Sequence, residues 1–217
     1  MDIDSPIAET FKNFLKTLQG DNKDFNSDIT FQIYYDLFKI REAQLEYKNK
    51  VKRGKDSSLA DIFQDIIAHY LRLTLPNEYS IILEKKFGRL TPDILIIKNE
   101  FPWAIIEVKT TIGWNRGLVK NEEYLKRLNE LSKFFNIPLN RIFYVFEASR
   151  NVSKEFADIF KNKSLNDKRK EYIYPLFERN ASPSKKEVRE YPIEEIFQNY
   201  KKDKITDYSE ILKKIIP

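Results

Sequence analysis

The chain has 217 residues, of which 41% are hydrophobic and 14% aromatic, so it can bury the core of one α/β domain. It contains no cysteine and a single histidine, His69, which excludes disulfide scaffolds, thiolate zinc sites and histidine-rich metal centres. Lysine and arginine outnumber the acids by 38 to 33, and the net charge of +5 favours a polyanionic partner. Because no apolar run reaches about 18 residues, we expect a cytoplasmic protein that does not enter a membrane.

The N-terminal part of the chain is predicted to be helical. Apolar residues at helical spacing indicate helices over 6–19 and 29–50, and a clear apolar stripe indicates a third helix over 59–73. The basic segment 51–55 is either a solvated loop or a source of phosphate contacts. We therefore assign residues 1–57 to a helical N-terminal extension, within the single domain expected for the whole chain.

Three short, isoleucine-rich segments between residues 79 and 112 predict consecutive strands separated by brief turns. Helical spacing returns over 119–136, and the aromatic-rich segment 141–149 predicts a fourth strand. Short connections favour an antiparallel meander for the first three strands, and the intervening helix favours a crossover to a parallel fourth strand. The predicted class is α/β with a mixed sheet, and its core covers about 58–149.

The C-terminal extension, residues 150–217, is rich in lysine. A short helix is predicted over 153–162 and another over 208–217, and 167–172 forms a second basic segment. This extension and the helix over 29–50 are the places where we expect a dimer interface or an element that reads bases.

Charged residues interrupt the second and third predicted strands. Asp93 follows Pro92 at the start of the second strand, whereas Glu107 and Lys109 lie inside the third. If the hairpin turn is centred near Glu100, Asp93 lies opposite Glu107, where the Cβ atoms of a pair are about 4.5–5.5 Å apart. Both carboxylates could then bind one divalent cation, and Mg²⁺, Mn²⁺ and Ca²⁺ are the ions that prefer oxygen ligands.

Strand alternation divides the third strand between two faces. Glu107 and Lys109 share one face with Ile105, and the other face carries small apolar residues, namely Ala104, Ile106 and Val108. A lysine beside a bound cation can hold or polarise a water, and the cation stabilises charge on a phosphate. The alternative is a hairpin with a surface Glu–Lys pair, but the apolar flanks favour a buried strand, where charged groups need partners.

The motif formed by Pro92-Asp93, thirteen intervening residues and Glu107-Val108-Lys109 resembles that of the PD-(D/E)XK nuclease superfamily, to which many type II restriction endonucleases belong. The predicted element order is also similar to the α-β-β-β-α-β core of that family. The resemblance implies that Asp93, Glu107 and the main-chain carbonyl of Val108 bind Mg²⁺, with Mn²⁺ as a substitute. It also implies that Lys109 orients or activates the attacking water.

Members of this family often carry a glutamate on the first core helix. The corresponding position here is Gln64, which follows Phe63 and lacks the charge of an acid. Asp61 and Asp65 lie nearby and are alternative acids for the same role. The number of metal ions is therefore left open by the sequence.

The segment after the third strand, 113–117, offers candidate DNA contacts. Trp114, Asn115 and Arg116 could contact a phosphate or stack on a base, and the alternative is a turn in which Trp114 packs into the core. His69 is expected to be structural, because no nucleophile partner for it is evident.

These observations lead to one main hypothesis and two alternatives. We expect a Mg²⁺-dependent endonuclease that cleaves double-stranded DNA and resembles a type II restriction enzyme. A palindromic duplex requires two sites related by a twofold axis, so a homodimer is expected. The alternatives are another nuclease of the superfamily, such as a repair, junction-resolving or nicking enzyme, and a nucleic-acid-binding module of the same fold that does not cleave.

Overall fold

The computed structural model describes the predicted sheet and the elements that pack around it. The described residues are Ile33, 60–111, 117, 122–148, 159–160, 166–177 and 209–216. The helix predicted over 6–19 lies outside them, as do segment 51–55, nearly all of the helix over 29–50 and most of the helix over 153–162. The assignment of the whole chain to one domain stays a prediction.

Five strands form one mixed sheet in the order β1-β2-β3-β4-β5. They are β1 (Tyr79–Leu83), β2 (Ile94–Lys98), β3 (Phe101–Thr111), β4 (Ile142–Ala148) and β5 (Ile173–Phe177). The first three strands are antiparallel, whereas β4 pairs in parallel with β3 and β5 in parallel with β4. The predicted meander and the parallel crossover are confirmed.

The fifth strand was not predicted from the sequence. Its segment IYPLF contains Pro175, and proline normally argues against a strand because it cannot donate a ladder hydrogen bond. Among the described residues β5 pairs only with β4, with Pro175 opposite Phe146. Proline is tolerated in a strand that has one paired side, so the sheet extends beyond the expected core of 58–149.

Besides the short 3-10 helix Leu139–Arg141, four α-helices with described bounds accompany the sheet. They are α1 (Ala60–Thr74), α2 (Glu123–Phe135), the single turn α3 (Arg169–Tyr172) and α4 (Ser209–Ile215). The helix predicted over 59–73 is confirmed, and so is the core of the one over 119–136. The latter ends at Asn136, which adopts a left-handed conformation with φ 54° and donates its backbone N–H to the carbonyl of Ser132. None of the described helices has the length and apolarity needed to cross a bilayer.

The β2–β3 hairpin sets the register at the interrupted strands. Asn99 and Glu100 form its two-residue turn, and their φ values of 48° and 70° are both positive, as a type I′ turn requires. Lys98 pairs with Phe101 beside the turn, and the register then shifts at a β-bulge so that Ile94 pairs with Ile106. The register assumed from the sequence is thus confirmed at the start of β2, although the bulge that produces it was not foreseen.

One face of the sheet packs against α1 and α4. The buried residues on this side include Phe63, Ile67, Tyr70 and Leu71 of α1, Ile211 and Ile215 of α4, and Ala104, Ile106 and Val108 of β3. The predicted apolar face of β3 is therefore confirmed as core.

The opposite face of the sheet is also buried, beneath α2. Its core includes Tyr124, Leu128 and Leu131 of α2 together with Leu95, Ile105 and Tyr144 of the sheet. Leu128 and Leu131 are fully buried, and each such side chain stabilises the fold by about 1.5–3 kcal/mol. The face of the sheet that carries Glu107 is therefore covered by α2.

Candidate active site

Asp93 lies immediately before β2 and is anchored across the hairpin to β3. Its Oδ2 accepts a hydrogen bond from the backbone N–H of Val108 at 2.7 Å and one from Lys109 Nζ at 2.8 Å. Its backbone carbonyl accepts from the N–H of Glu84 at 3.1 Å. Pro92 is buried just before it, so both the main chain and the carboxylate of Asp93 are held in place.

Glu107 is the most buried acid of the candidate site, with 6% of its side chain exposed. Its Oε1 accepts from Arg127 Nη2 at 3.1 Å, and its Oε2 lies 3.8 Å from Lys109 Nζ. Burial raises the pKa of this carboxyl, and so does the charge of Asp93, whereas Arg127 and Lys109 lower it. The raised pKa means that burial and the charge of Asp93 outweigh the two cations and disfavour the anionic form.

Lys109 joins the three oxygen donors that were predicted to bind a metal. Its Nζ is 2.8 Å from Asp93 Oδ2, 2.9 Å from the Val108 carbonyl oxygen and 3.8 Å from Glu107 Oε2. The predicted convergence of these residues is therefore present in the described structure. One ammonium contacts the same groups that a divalent cation would use.

Arg127 is a residue of this cluster that the sequence analysis missed. It lies on α2, and its Nη2 donates to both Glu107 Oε1 and the carbonyl oxygen of Thr91, at 3.1 Å each. It follows Tyr124 by three residues and precedes Leu131 by four, so it belongs to the sheet-facing side of the helix. That spacing was the available signal, because a cation on a buried helical stripe needs an anionic partner.

A scan against protein-family models finds no family that matches this chain, and a search of curated proteins finds no match.

The donor set fits a hard cation in chemical type. Two carboxylates and a main-chain carbonyl supply only oxygen, which Mg²⁺ and Mn²⁺ accept, with waters completing the coordination shell. Within the described ranges, no group of three or more acidic, histidine or cysteine side chains is placed to hold a metal ion. A site here would therefore depend on Asp93, Glu107 and the Val108 carbonyl together.

Tyr144 forms the wall of the site on the β4 side. It is the register partner of Glu107 in the parallel β3–β4 pair, and Lys109 Nζ lies 5.9 Å from the centre of its ring. Burial raises the pKa of this phenol, and the charge of Glu107 adds to the effect. The hydroxyl therefore stays neutral over the ordinary pH range, and Tyr144 adds no charge to the cluster.

The other predicted site residues are not brought into this cluster by the described contacts. Gln64 is 6% exposed on α1, whose buried stripe packs on the opposite face of the sheet, and Asp65 is exposed to solvent. Among the described residues, no hydrogen bond or ion pair joins Gln64 to the acids or to Lys109. The side chain of Asp61 lies outside the described part of the chain, as do three predicted DNA contacts, Trp114, Asn115 and Arg116.

Proposed function

We propose that the chain is a Mg²⁺-dependent endonuclease that hydrolyses phosphodiester bonds of double-stranded DNA. The observation that carries the proposal is the convergence of Asp93, Glu107 and the Val108 carbonyl on Lys109 Nζ. Two acids and an ammonium arranged across a hairpin are suited to phosphodiester hydrolysis. The resemblance of the motif to PD-(D/E)XK nucleases, and the order of helix, three strands, helix and strand, support the same assignment.

The side chains have separate roles in this proposal. Asp93 and Glu107 would hold the ion with the Val108 carbonyl, and the bound ion supplies a water of lowered pKa and a positive charge beside the phosphate. Lys109 lies close to both carboxylates, so it can donate a hydrogen bond to an attacking water beside either one. Arg127 favours the anionic form of Glu107 and retains N–H donors that can bind a phosphate oxygen.

The assignment to a type II restriction enzyme is the finer part of the proposal. It rests on the spacing between Asp93 and Glu107, and on the segments that precede and follow the core. A homodimer follows from the chemistry of the substrate, since a palindromic duplex presents two equivalent bonds related by a twofold axis. Mn²⁺ should substitute for Mg²⁺, because both accept oxygen ligands.

One observation favours a second candidate function, a nucleic-acid-binding module that does not cleave. Lys109 and Arg127 together neutralise Asp93 and Glu107, so the four side chains form a balanced ion-pair cluster without any added cation. A cluster of this kind could serve only to hold the hairpin against α2.

Incubation of supercoiled plasmid with the full chain separates the two functions. In Mg²⁺ or Mn²⁺ the nuclease yields nicked, linear or discretely fragmented DNA, and EDTA abolishes the reaction. Asp93→Asn and Glu107→Gln should each lower the cleavage rate at least about a hundredfold, the scale on which loss of one charge-stabilising group acts. Glu78→Gln is the matched control, because Glu78 is an exposed acid beside the far end of β2, paired with Lys98. Duplex binding without cleavage in every divalent ion would leave only the second candidate.

A further inference from the structure

The connection between β1 and β2 carries three exposed cations that the sequence analysis did not single out. In this 84–92 loop, Lys85, Lys86 and Arg89 are exposed, and none has a carboxylate within 4 Å among the described residues. The loop contains one acid, Glu84, which is also exposed. The 84–92 loop therefore carries a net positive charge, whereas in the adjoining ion-pair cluster two acids balance two cations.

The 84–92 loop is an ordered element. The N–H of Phe87 donates to the Leu90 carbonyl at 2.7 Å, and the N–H of Leu90 donates back at 3.0 Å. Gly88 turns the chain between them with φ 58°, a conformation that side-chain-bearing residues rarely adopt. The Phe87 ring packs against Phe135 of α2 with ring centres 5.2 Å apart. Lys85 and Arg89 therefore project from a fixed scaffold.

Both ends of the loop are fastened to the candidate active site. The backbone N–H of Glu84 donates to the Asp93 carbonyl at 3.1 Å, at the point where the loop leaves β1. At its other end, the Thr91 carbonyl accepts from Arg127, whose same nitrogen bonds Glu107. The three loop cations therefore lie on the segment that directly precedes Asp93 and positions it in the cluster.

We propose that Lys85, Lys86 and Arg89 bind phosphates of double-stranded DNA beside the bond to be cut. The inference rests on the proposed nuclease function and names the surface that places its substrate. Cations without a carboxylate partner bind the DNA backbone through its charge and release counterions, which adds affinity and orientation without sequence information. Because the loop is rigid, the bound DNA backbone would be held at a fixed position relative to Asp93.

Salt-dependent binding of a labelled duplex in EDTA tests the inference without any cleavage. The double variant Lys86→Gln/Arg89→Gln removes two loop charges, and Lys85 is left in place because its ammonium lies over the Phe87 ring. The matched control is Lys213→Gln/Lys214→Gln on α4, where two exposed lysines are removed. That helix ends beside Trp103, since Trp103 Nε1 donates to the Ile215 carbonyl, close to the hairpin turn and away from Asp93.

The expected result is a change in the slope of log affinity against log salt concentration. The slope is negative, and each lost phosphate contact makes it less steep by about 0.9. The slope of the loop variant should therefore be less steep by about 1.8, and that of the control should be almost unchanged. Equal slopes in the loop variant and the native chain would overturn the inference, as would an equal loss in the control. A loop effect seen with single-stranded RNA and absent with duplex DNA would overturn it too. Circular dichroism melting of both variants verifies that they are folded.

The inference and the proposed function fail in different ways. If the native chain cuts plasmid in Mg²⁺ but the loop variant has the same slope of log affinity against log salt concentration, the inference alone is overturned. If duplex binding depends on the loop charges but the protein never cuts DNA, the proposed hydrolysis is overturned. The loop is then still a duplex-binding surface.

Discussion

Arg127 Nη2 lies 3.1 Å from Glu107 Oε1 and 3.1 Å from the Thr91 carbonyl oxygen, so one guanidinium nitrogen links α2, β3 and the segment that leads to Asp93. The Glu107 side chain is almost fully buried, whereas that of Arg127 is 27% exposed. A buried carboxylate depends strongly on such a partner, because removing one member of a buried pair leaves a charge that neither water nor protein solvates.

Replacement of Arg127 by methionine should therefore destabilise the fold. We expect the free energy of unfolding to fall by about 1–3 kcal/mol, less than for a fully buried pair because the guanidinium is partly solvated. Urea denaturation near neutral pH measures the change, and Lys126→Met, on an exposed position of the same helix, is the control. In the double variant Arg127→Met/Glu107→Gln much of the loss should be recovered, and strictly additive effects would contradict the coupling.

The stability of the metal-free protein should depend on pH through Glu107. Because the pKa of this carboxyl is raised above its ordinary value of 4.5, the native state keeps a proton that the unfolded chain has already released. This contribution is fully present below about pH 4.5 and is lost as the pH rises through the native value. Glu107→Gln removes the titration, so the variant should lose less stability than the native chain as the pH rises through this window.

The pH dependence of stability in the Glu107 variant is compared with that of a variant at Glu78. Glu78→Gln, which removes one exposed acid outside the cluster, is the control for the loss of a carboxylate charge. If Glu107→Gln and the native chain have parallel profiles in EDTA, Glu107 does not titrate as its burial implies.

Lys109 should compete with a divalent cation for the same oxygen atoms. Its ammonium contacts Asp93 Oδ2 and the Val108 carbonyl, so a cation that uses these donors must displace it. Lys109→Met should bind Mn²⁺ about thirtyfold more tightly, the factor that corresponds to about 2 kcal/mol between an ammonium and a divalent cation ~4 Å apart in water. Isothermal titration calorimetry measures the affinity, with Lys126→Met as the control.

The cleavage rate of the Lys109 variant should change in the opposite direction. Loss of the ammonium removes the donor that positions the attacking water, so plasmid cleavage should fall while metal binding strengthens. Weaker Mn²⁺ binding in Lys109→Met would show that Lys109 organises the acids and does not compete with the ion.

The hairpin turn offers a prediction about stability that is independent of the site chemistry. Glu100 adopts φ 70°, a conformation that costs a residue with a side chain about 1–2 kcal/mol. Glu100→Gly relieves this strain but adds freedom to the unfolded chain, so we expect a net gain of about 0.5–1 kcal/mol in urea denaturation. The control is Ser80→Gly in the extended strand β1, where glycine should destabilise. A loss of stability in Glu100→Gly would contradict the assignment of strain to this turn.

The sequence predicts the arrangement of Asp93, Glu107 and Lys109 where periodicity and local chemistry carry the information. Alternation along β3 placed Glu107 and Lys109 together, and the short connection placed Asp93 opposite them. Arg127 was not predicted, because its role depends on how α2 lies over the sheet, which no local pattern encodes. The strand containing Pro175 was missed for a similar reason, since only tertiary pairing decides whether a proline-containing segment adds to a sheet edge.

The role of Gln64 could not be settled from the sequence. Helical periodicity places it on the buried side of α1, and its low exposure agrees. A resemblance at the level of motif spacing nevertheless transfers a residue only where the helix and the hairpin meet at the same end of the sheet. That relationship is set by packing over many residues.

The bulge in the β2–β3 hairpin accommodates one extra residue in β3, and this shift in register is what sets Asp93 opposite Glu107. Trp103 is the extra residue, since Ile97 pairs with Pro102 and Ile96 with Ala104. If the pairing set by the turn continued along β3 without a bulge, Ile106 would lie opposite Asp93. Glu107 would then turn toward the apolar core beneath α1. In that register the chain would retain every acid and lysine of the cluster and yet have no cluster.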